Sequence, residues 1–306
     1  HCSGCTATNN IIKNNSGSHG GMYIHGGESI VTGNIIYNNN GSAGAGVYIR
    51  GGTVNLSNNL IVSNNGIGIY EDEGPDLTLH NNIIANNSSG GMQTSSNNYL
   101  DVSIKYNSFV YNNGSNEGSG IRYNYPDDGM PIQYNTFSAN DGASTLYIQH
   151  SSGSLPLINY NNFINNSTTY LLYNANPYAG NSLNAENNYW DASASSVISN
   201  LIYDFYDGGE FDIVDYEPYS GMPNIEAPIS PPRDVTVSAS SEGVTLAWST
   251  NHESDVAGYK VYYGNFTGYS FTNSVDVGWA PGEVTLSGLS ISDTVALTAY
   301  DGDIDG

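Results

Sequence analysis

Tyrosines stand at matching places in successive stretches of this chain, mostly two residues after a glycine. Gly21-Met22-Tyr23, Gly46-Val47-Tyr48 and Gly68-Ile69-Tyr70 show the pattern, and Tyr147 continues it, with Gln93 and Arg122 in the same frame. Planar rings beside amide and guanidinium donors suit the apolar faces and hydroxyl rims of sugars. Tyr23, Tyr48, Tyr70, Arg122 and Tyr147 are therefore the expected glycan-binding residues. The same column also has a purely structural reading, because Tyr favours half-exposed strands and pairs well across them.

His80 and Lys105 form a second pair, at the same place in adjacent repeats. Removing the proton α to a uronate carboxyl needs a base and a means of acidifying that carbon. His80 and Lys105 are the catalytic candidates for such a step, although no column of carboxylates flanks them and a solvated polar face explains them equally. Glu71, Asp72, Glu73 and Asp76 crowd one expected turn, where oxygen ligands suit Ca2+. Asp301, Asp303 and Asp305 fit the first half of a D-x-D-x-D-G calcium loop and equally a turn between strands. Ca2+ is the one cofactor these residues suggest. The convergent carboxylates of a glycoside hydrolase are gathered nowhere. Cys2 and Cys5 lack the further ligands of a zinc site. Cys5 falls in an inward column, so core filling is expected, with a local disulfide as the alternative.

The elements carrying these residues follow from an asparagine that returns as Asn10, Asn34, Asn59, Asn82, Asn107, Asn135, Asn161 and Asn187. A fixed period of this size marks a solenoid whose coils stack on one another. Two residues after that Asn stand Ile12, Ile36, Ile61, Ile84, Phe109, Phe137, Phe163 and Tyr189. Three before it stand Ala7, Val31, Leu56, Leu79, Ile104, Ile132, Ile158 and Asn184. Apolar and polar residues alternate upstream, as in Val54-Asn55-Leu56-Ser57, the period of a strand with one buried face. No stretch carries a helical stripe. Short strands, sharp turns and one coil per repeat predict an all-β parallel β-helix of about eight coils. The recurring Asn is expected to bond its like along the stack.

Asn-Asn-Ile-Ile-x-Asn-Asn, at 9–15 and 81–87, resembles the right-handed parallel β-helix family that includes pectate-lyase-like folds. Glu186-Asn187-Asn188-Tyr189-Trp190 is similar to that family's last-coil signature, and Ile202-Tyr203-Asp204 with Val214-Asp215-Tyr216-Glu217-Pro218 to its closing tail. The resemblance covers about residues 1–222. It implies the fold and leaves activity open, because enzymes and non-enzymes share this scaffold. An enzyme of this kind would be a polysaccharide lyase acting on acidic polysaccharide. Residues 223–232 are Pro-rich and read as a linker. Beyond them, at 233–306, Trp248 and Ala257-Gly258-Tyr259-Lys260-Val261-Tyr262-Tyr263 resemble the core tryptophan and third strand of a fibronectin type III sandwich. Its last strand is missing. The chain also opens inside a coil. A longer polypeptide is the first expectation, and head-to-tail self-association into a filament the second.

A net charge of −23 with six Lys and Arg excludes the basic footprint of a nucleic-acid binder and docking on anionic lipid. No run of 18 apolar residues is present, so no membrane span is expected. Abundant Asn, Ser, Gly and Tyr suggest an extracellular or cell-surface protein. The expected role is structural or adhesive, with a polysaccharide or surface glycan as partner.

Overall fold

The structure is a computed structural model. It describes all residues except 96–100, 115–116, 127, 150–154, 268–269, 280–281, 291 and 303–306. The chain divides into two compact units, His1–Pro228 and Ile229–Gly306.

The first unit is a parallel β-helix built from three sheets. The first sheet stacks seven strands, from Thr6–Thr8 to Leu157–Asn159. The second stacks seven, from Ile11–Lys13 to Asn162–Ile164. The third and widest holds the mid-repeat strands, among them Met22–His25, Asn40–Arg50, Asn65–Asp72, Met92–Thr94, Ile121–Asn124, Asp141–Gln149 and Ser167–Asn174. All pairings in these sheets are parallel, with register partners such as Leu56↔Leu79 and Leu79↔Ile104. Ile36, Ile61, Leu79, Ile84, Ile104 and Phe109 are fully enclosed in one continuous core. Period-two alternation places them there, since each strand turns one face inward.

The corner between the first two sheets is held by the recurring asparagine. Each side-chain amide donates to the carbonyl oxygen of the next, from Asn10 through Asn34, Asn59, Asn82, Asn107, Asn135 and Asn161, at 2.9–3.0 Å. That oxygen also accepts the preceding Asn backbone N–H, and the amide reaches a main-chain carbonyl one coil back. Buried polar groups are thereby satisfied along the whole corner.

The last rung corrects the expected register. Asn188, not Asn187, receives the bonds of Asn161. The columns shift with it: Trp190 takes the core position expected for Tyr189, and Ala185 is buried where Asn184 was expected. Trp190 lies flat on Phe163, with ring centroids 4.7 Å apart and planes within 1°. The solenoid makes about six turns, fewer than the eight coils expected. The seven strands of each long sheet span six coil-to-coil steps. The eighth repeat adds no full strand to either long sheet: Ser182–Asn184 pairs with Ile213–Asp215, and Tyr189 makes a single parallel bridge to Asn162.

A second asparagine ladder runs five residues after the first, through Asn15, Asn39, Asn64, Asn87, Asn112, Asn140 and Asn166. The sequence columns had not isolated it. Cys2 and Cys5 form a disulfide and are half-buried, so Cys5 does not serve as core filler. Residues after the closing segment return along the second sheet. Asn224 exchanges bonds with Asn162, and Thr136 donates to the Pro228 carbonyl.

The second unit has two three-stranded antiparallel sheets. One orders Arg233–Ser240, Gly243–Ser249 and Glu283–Leu286; the other orders Ser270–Gly278, Val256–Thr267 and Val295–Asp301. Val244, Leu246 and Trp248 from the first meet Val256, Tyr259 and Val261 from the second in one apolar cluster.

Candidate functional site

The third sheet brings the expected glycan-binding residues into one outward column. Tyr23, Tyr48, Tyr70, Gln93, Arg122 and Tyr147 are successive register partners. Tyr173 and Tyr203 extend the column and had been missed. Tyr173 follows Tyr147 at the 26-residue interval of the local repeat, which was the available signal.

The rings spend their faces on one another. Tyr48 and Tyr70 stack at 5.4 Å and 13°, and Tyr173 and Tyr203 at 4.4 Å and 10°. His19 lies 4.0 Å from Tyr48 on the other side. Tyr48 and Tyr147 are consequently buried. Where the rings stack they turn their edges outward, whereas Tyr23 meets Tyr48 edge to face at 61°. Burial, and then the Asp72 carboxylate that accepts its O–H at 2.7 Å, push the Tyr48 phenol far above its ordinary value. Tyr173 is pushed up to about 12, chiefly by burial.

The break falls at Gln93 and Arg122. There the guanidinium lies 5.0 Å from the Tyr147 ring centroid and 3.6 Å from the Glu117 carboxylate. Its Nε is buried without a hydrogen-bond partner among the described residues. A cavity of about 150 Å³ opens beside it, lined by Gln93, Arg122, Glu117, Ser89, Met92 and Ile67. Gly118 makes this packing feasible. Its φ is +78°, and a Cβ there would stand 2.7 Å from the Arg122 backbone. The arrangement offers a guanidinium, an amide, a carboxylate and a hydroxyl around a small void, the donor and acceptor set that a polyhydroxylated ring needs.

The acidic run does not converge. Along a strand successive side chains point to opposite faces, so Glu71 turns into the core while Asp72 turns out to Tyr48 and Ser95. Glu73 pairs with Arg50, and Asp76 lies 3.5 Å from the Thr53 hydroxyl. Among the described residues no group of three His, Cys, Asp or Glu side chains is placed to hold a metal. That overturns Glu71, Asp72, Glu73 and Asp76 as a shared Ca2+ site. Asp301 ends a strand, while Asp303 and Asp305 lie outside the described residues.

His80 and Lys105 are register neighbours, with Ser57 and Gln133 on the rungs to either side. The His80 ring sits 5.1 Å from Tyr106. Tyr106 introduces a group the sequence reading had passed over. Tyr106, Tyr134 and Tyr160 each precede a ladder asparagine and hold φ of 58°, 55° and 59°. Elsewhere that corner is Asn9, Gly33, Asn58, Asn81 or Asn187, also left-handed. Gly and Asn adopt this conformation readily, whereas a bulky residue there carries strain of about 1–3 kcal/mol. The available signal was Tyr-Asn in three consecutive repeats, at 106–107, 134–135 and 160–161.

A family model described as the right-handed β-helix region matches residues 1–153. No curated protein and no solved structure matches the chain. The matched span covers half of the sequence and lies within the stacked coils, whose ladders and core continue beyond it. The chain belongs to the right-handed β-helix family.

Proposed function

We propose that this is an extracellular or cell-surface β-helix protein that binds glycans without turning them over, and that the binding site is the break in the tyrosine column. The observation that carries this reading is the cavity at Gln93, Arg122 and Glu117, with one guanidinium nitrogen still lacking an acceptor. The net charge of −23 favours a neutral sugar over a polyanion. The Cys2–Cys5 disulfide accords with an oxidising compartment. The second unit is read as a fibronectin type III-like spacer. Its two three-stranded sheets around Trp248 support that reading.

The lyase reading has one observation in its favour, the juxtaposition of His80 and Lys105. Its substrate would be a polyanion, which the chain's charge repels, and binding is therefore the stronger reading. A glycan array carrying neutral and acidic sugars tests it. The parent protein should be retained on neutral sugars, and Arg122→Ala should weaken retention by about tenfold or more with little change in melting temperature. No retention of the parent, or an unchanged Arg122→Ala variant, would reject the site.

A further inference from the structure

The left-handed tyrosine corner lies between the first and second sheets, away from the cavity on the third. Its three rings form a regular stack, with both steps at 5.1 Å and 6°. Tyr160 is exposed, and Tyr106 and Tyr134 are half-exposed. The backbone gains nothing from tyrosine here, because Asn and Gly fill the same corner in the other coils. Three consecutive rungs nevertheless carry it. Strain retained where a cheaper residue is at hand points to a use for the side chain.

On one flank stand Lys105 and Gln133, each directly before its tyrosine and half-exposed. On the other runs the returning segment, where Asn224 donates to the Tyr160 carbonyl. Burial first, and the Glu226 carboxylate second, raise the Tyr134 phenol above its ordinary value. The result is a strip of stacked rings with Lys105 and Gln133 next to it in the chain and the Asn224 amide and Glu226 carboxylate of the returning segment close by.

We infer that this strip docks a neutral, extended β-1,4-linked polysaccharide running along the solenoid axis, one sugar per rung. The rung spacing of 5.1 Å is close to the advance of one pyranose in such a chain. Phenol hydroxyls, the Gln133 amide and the Lys105 ammonium meet its hydroxyl rim. An anionic chain would face Glu226 and the overall charge of −23. A peptide adding as a strand would need unpaired strand edges, and the corner offers none. The Tyr106 N–H donates to the Gln133 carbonyl and the Asn107 N–H to the Asn135 side chain.

Calorimetric titration with cello- and manno-oligosaccharides of two to six residues tests the strip, separately from single-sugar binding at the cavity. Affinity should rise about tenfold between two and three residues and then level off, since three rings offer three rungs. The triple variant Tyr106→Asn, Tyr134→Asn, Tyr160→Asn should melt at or above the parent temperature and lose that gain. It should keep the single-sugar retention that Arg122→Ala loses. Absence of length dependence, or parent-like affinity in the triple variant, overturns the strip whatever the cavity does. If the triple variant melts lower, Gln133→Ala decides. It leaves the stack intact, must still reduce affinity for the longer chains, and overturns the strip if it does not.

Discussion

Glu71 carries a carboxyl into the solenoid interior, level with Ile49 on one rung and Thr94 on the next. One oxygen accepts the Gly74 N–H at 2.9 Å, and the other is buried with no partner among the described residues. Burial raises its pKa to about 8, outweighing that single hydrogen bond. The unfolded value is about 4.3. The folded chain thus holds a proton that the unfolded chain releases between those limits. This contribution to stability is complete below about pH 4.3 and is lost as pH rises through about 8. Thermal melts from about pH 5 to about pH 8 should show the parent weakening, and Glu71→Gln should flatten that slope. An equal slope in both proteins would assign the pH dependence to other groups. The same residue shows why the acidic run misled as a metal site. In sequence Glu71, Asp72 and Glu73 are neighbours, but a strand sends the first two to opposite faces.

At the scale of the elements, the asparagine ladder bears most on stability and was the most legible feature. Few side chains supply both a donor and an acceptor, as each rung of the corner requires, so the period of this Asn marks the coils directly. Asn107→Ala would strip the Asn82 N–H of its acceptor and the carbonyls of Leu79 and Lys105 of a donor. Each orphaned buried group costs about 1–3 kcal/mol. Denaturant melts should therefore show a larger loss for Asn107→Ala than for Asn10→Ala on the exposed first rung. Equal losses would deny the ladder its role. Legibility failed where two asparagines adjoin: Asn187 and Asn188 compete for the last rung, and side-chain volume settles it, because Trp190 fills the end of the Phe109–Phe137–Phe163 stack and Tyr189 does not. The tyrosine column was equally readable, since strand register follows the coil period. Its consequences were not, because spacing does not show that stacked rings cover one another. The cavity arises from Gln93, Arg122 and Glu117 packing around Gly118, which no column of the sequence displays.

At the scale of the whole molecule, 29 acidic residues against six basic ones decide which partners can approach. Such an excess repels itself in the folded state and repels any polyanion at a distance. Raising ionic strength from about 0.01 M to about 0.15 M shortens the screening length from about 30 Å to about 8 Å. Over that range the melting temperature should rise as self-repulsion is screened. Binding then distinguishes the two glycan classes. A neutral chain carries no charge to screen, so its affinity should stay nearly constant across the titration. An acidic chain would bind better as salt is added, the reverse of a cationic surface, because screening removes a repulsion rather than an attraction. Measuring glycan affinity at several salt concentrations, each with its own melting curve, separates these outcomes from any change in the folded population. Affinity that climbs with salt would identify an acidic ligand and return attention to His80 and Lys105. Constant affinity would tie recognition to the hydroxyl-directed groups at the column break and the tyrosine corner.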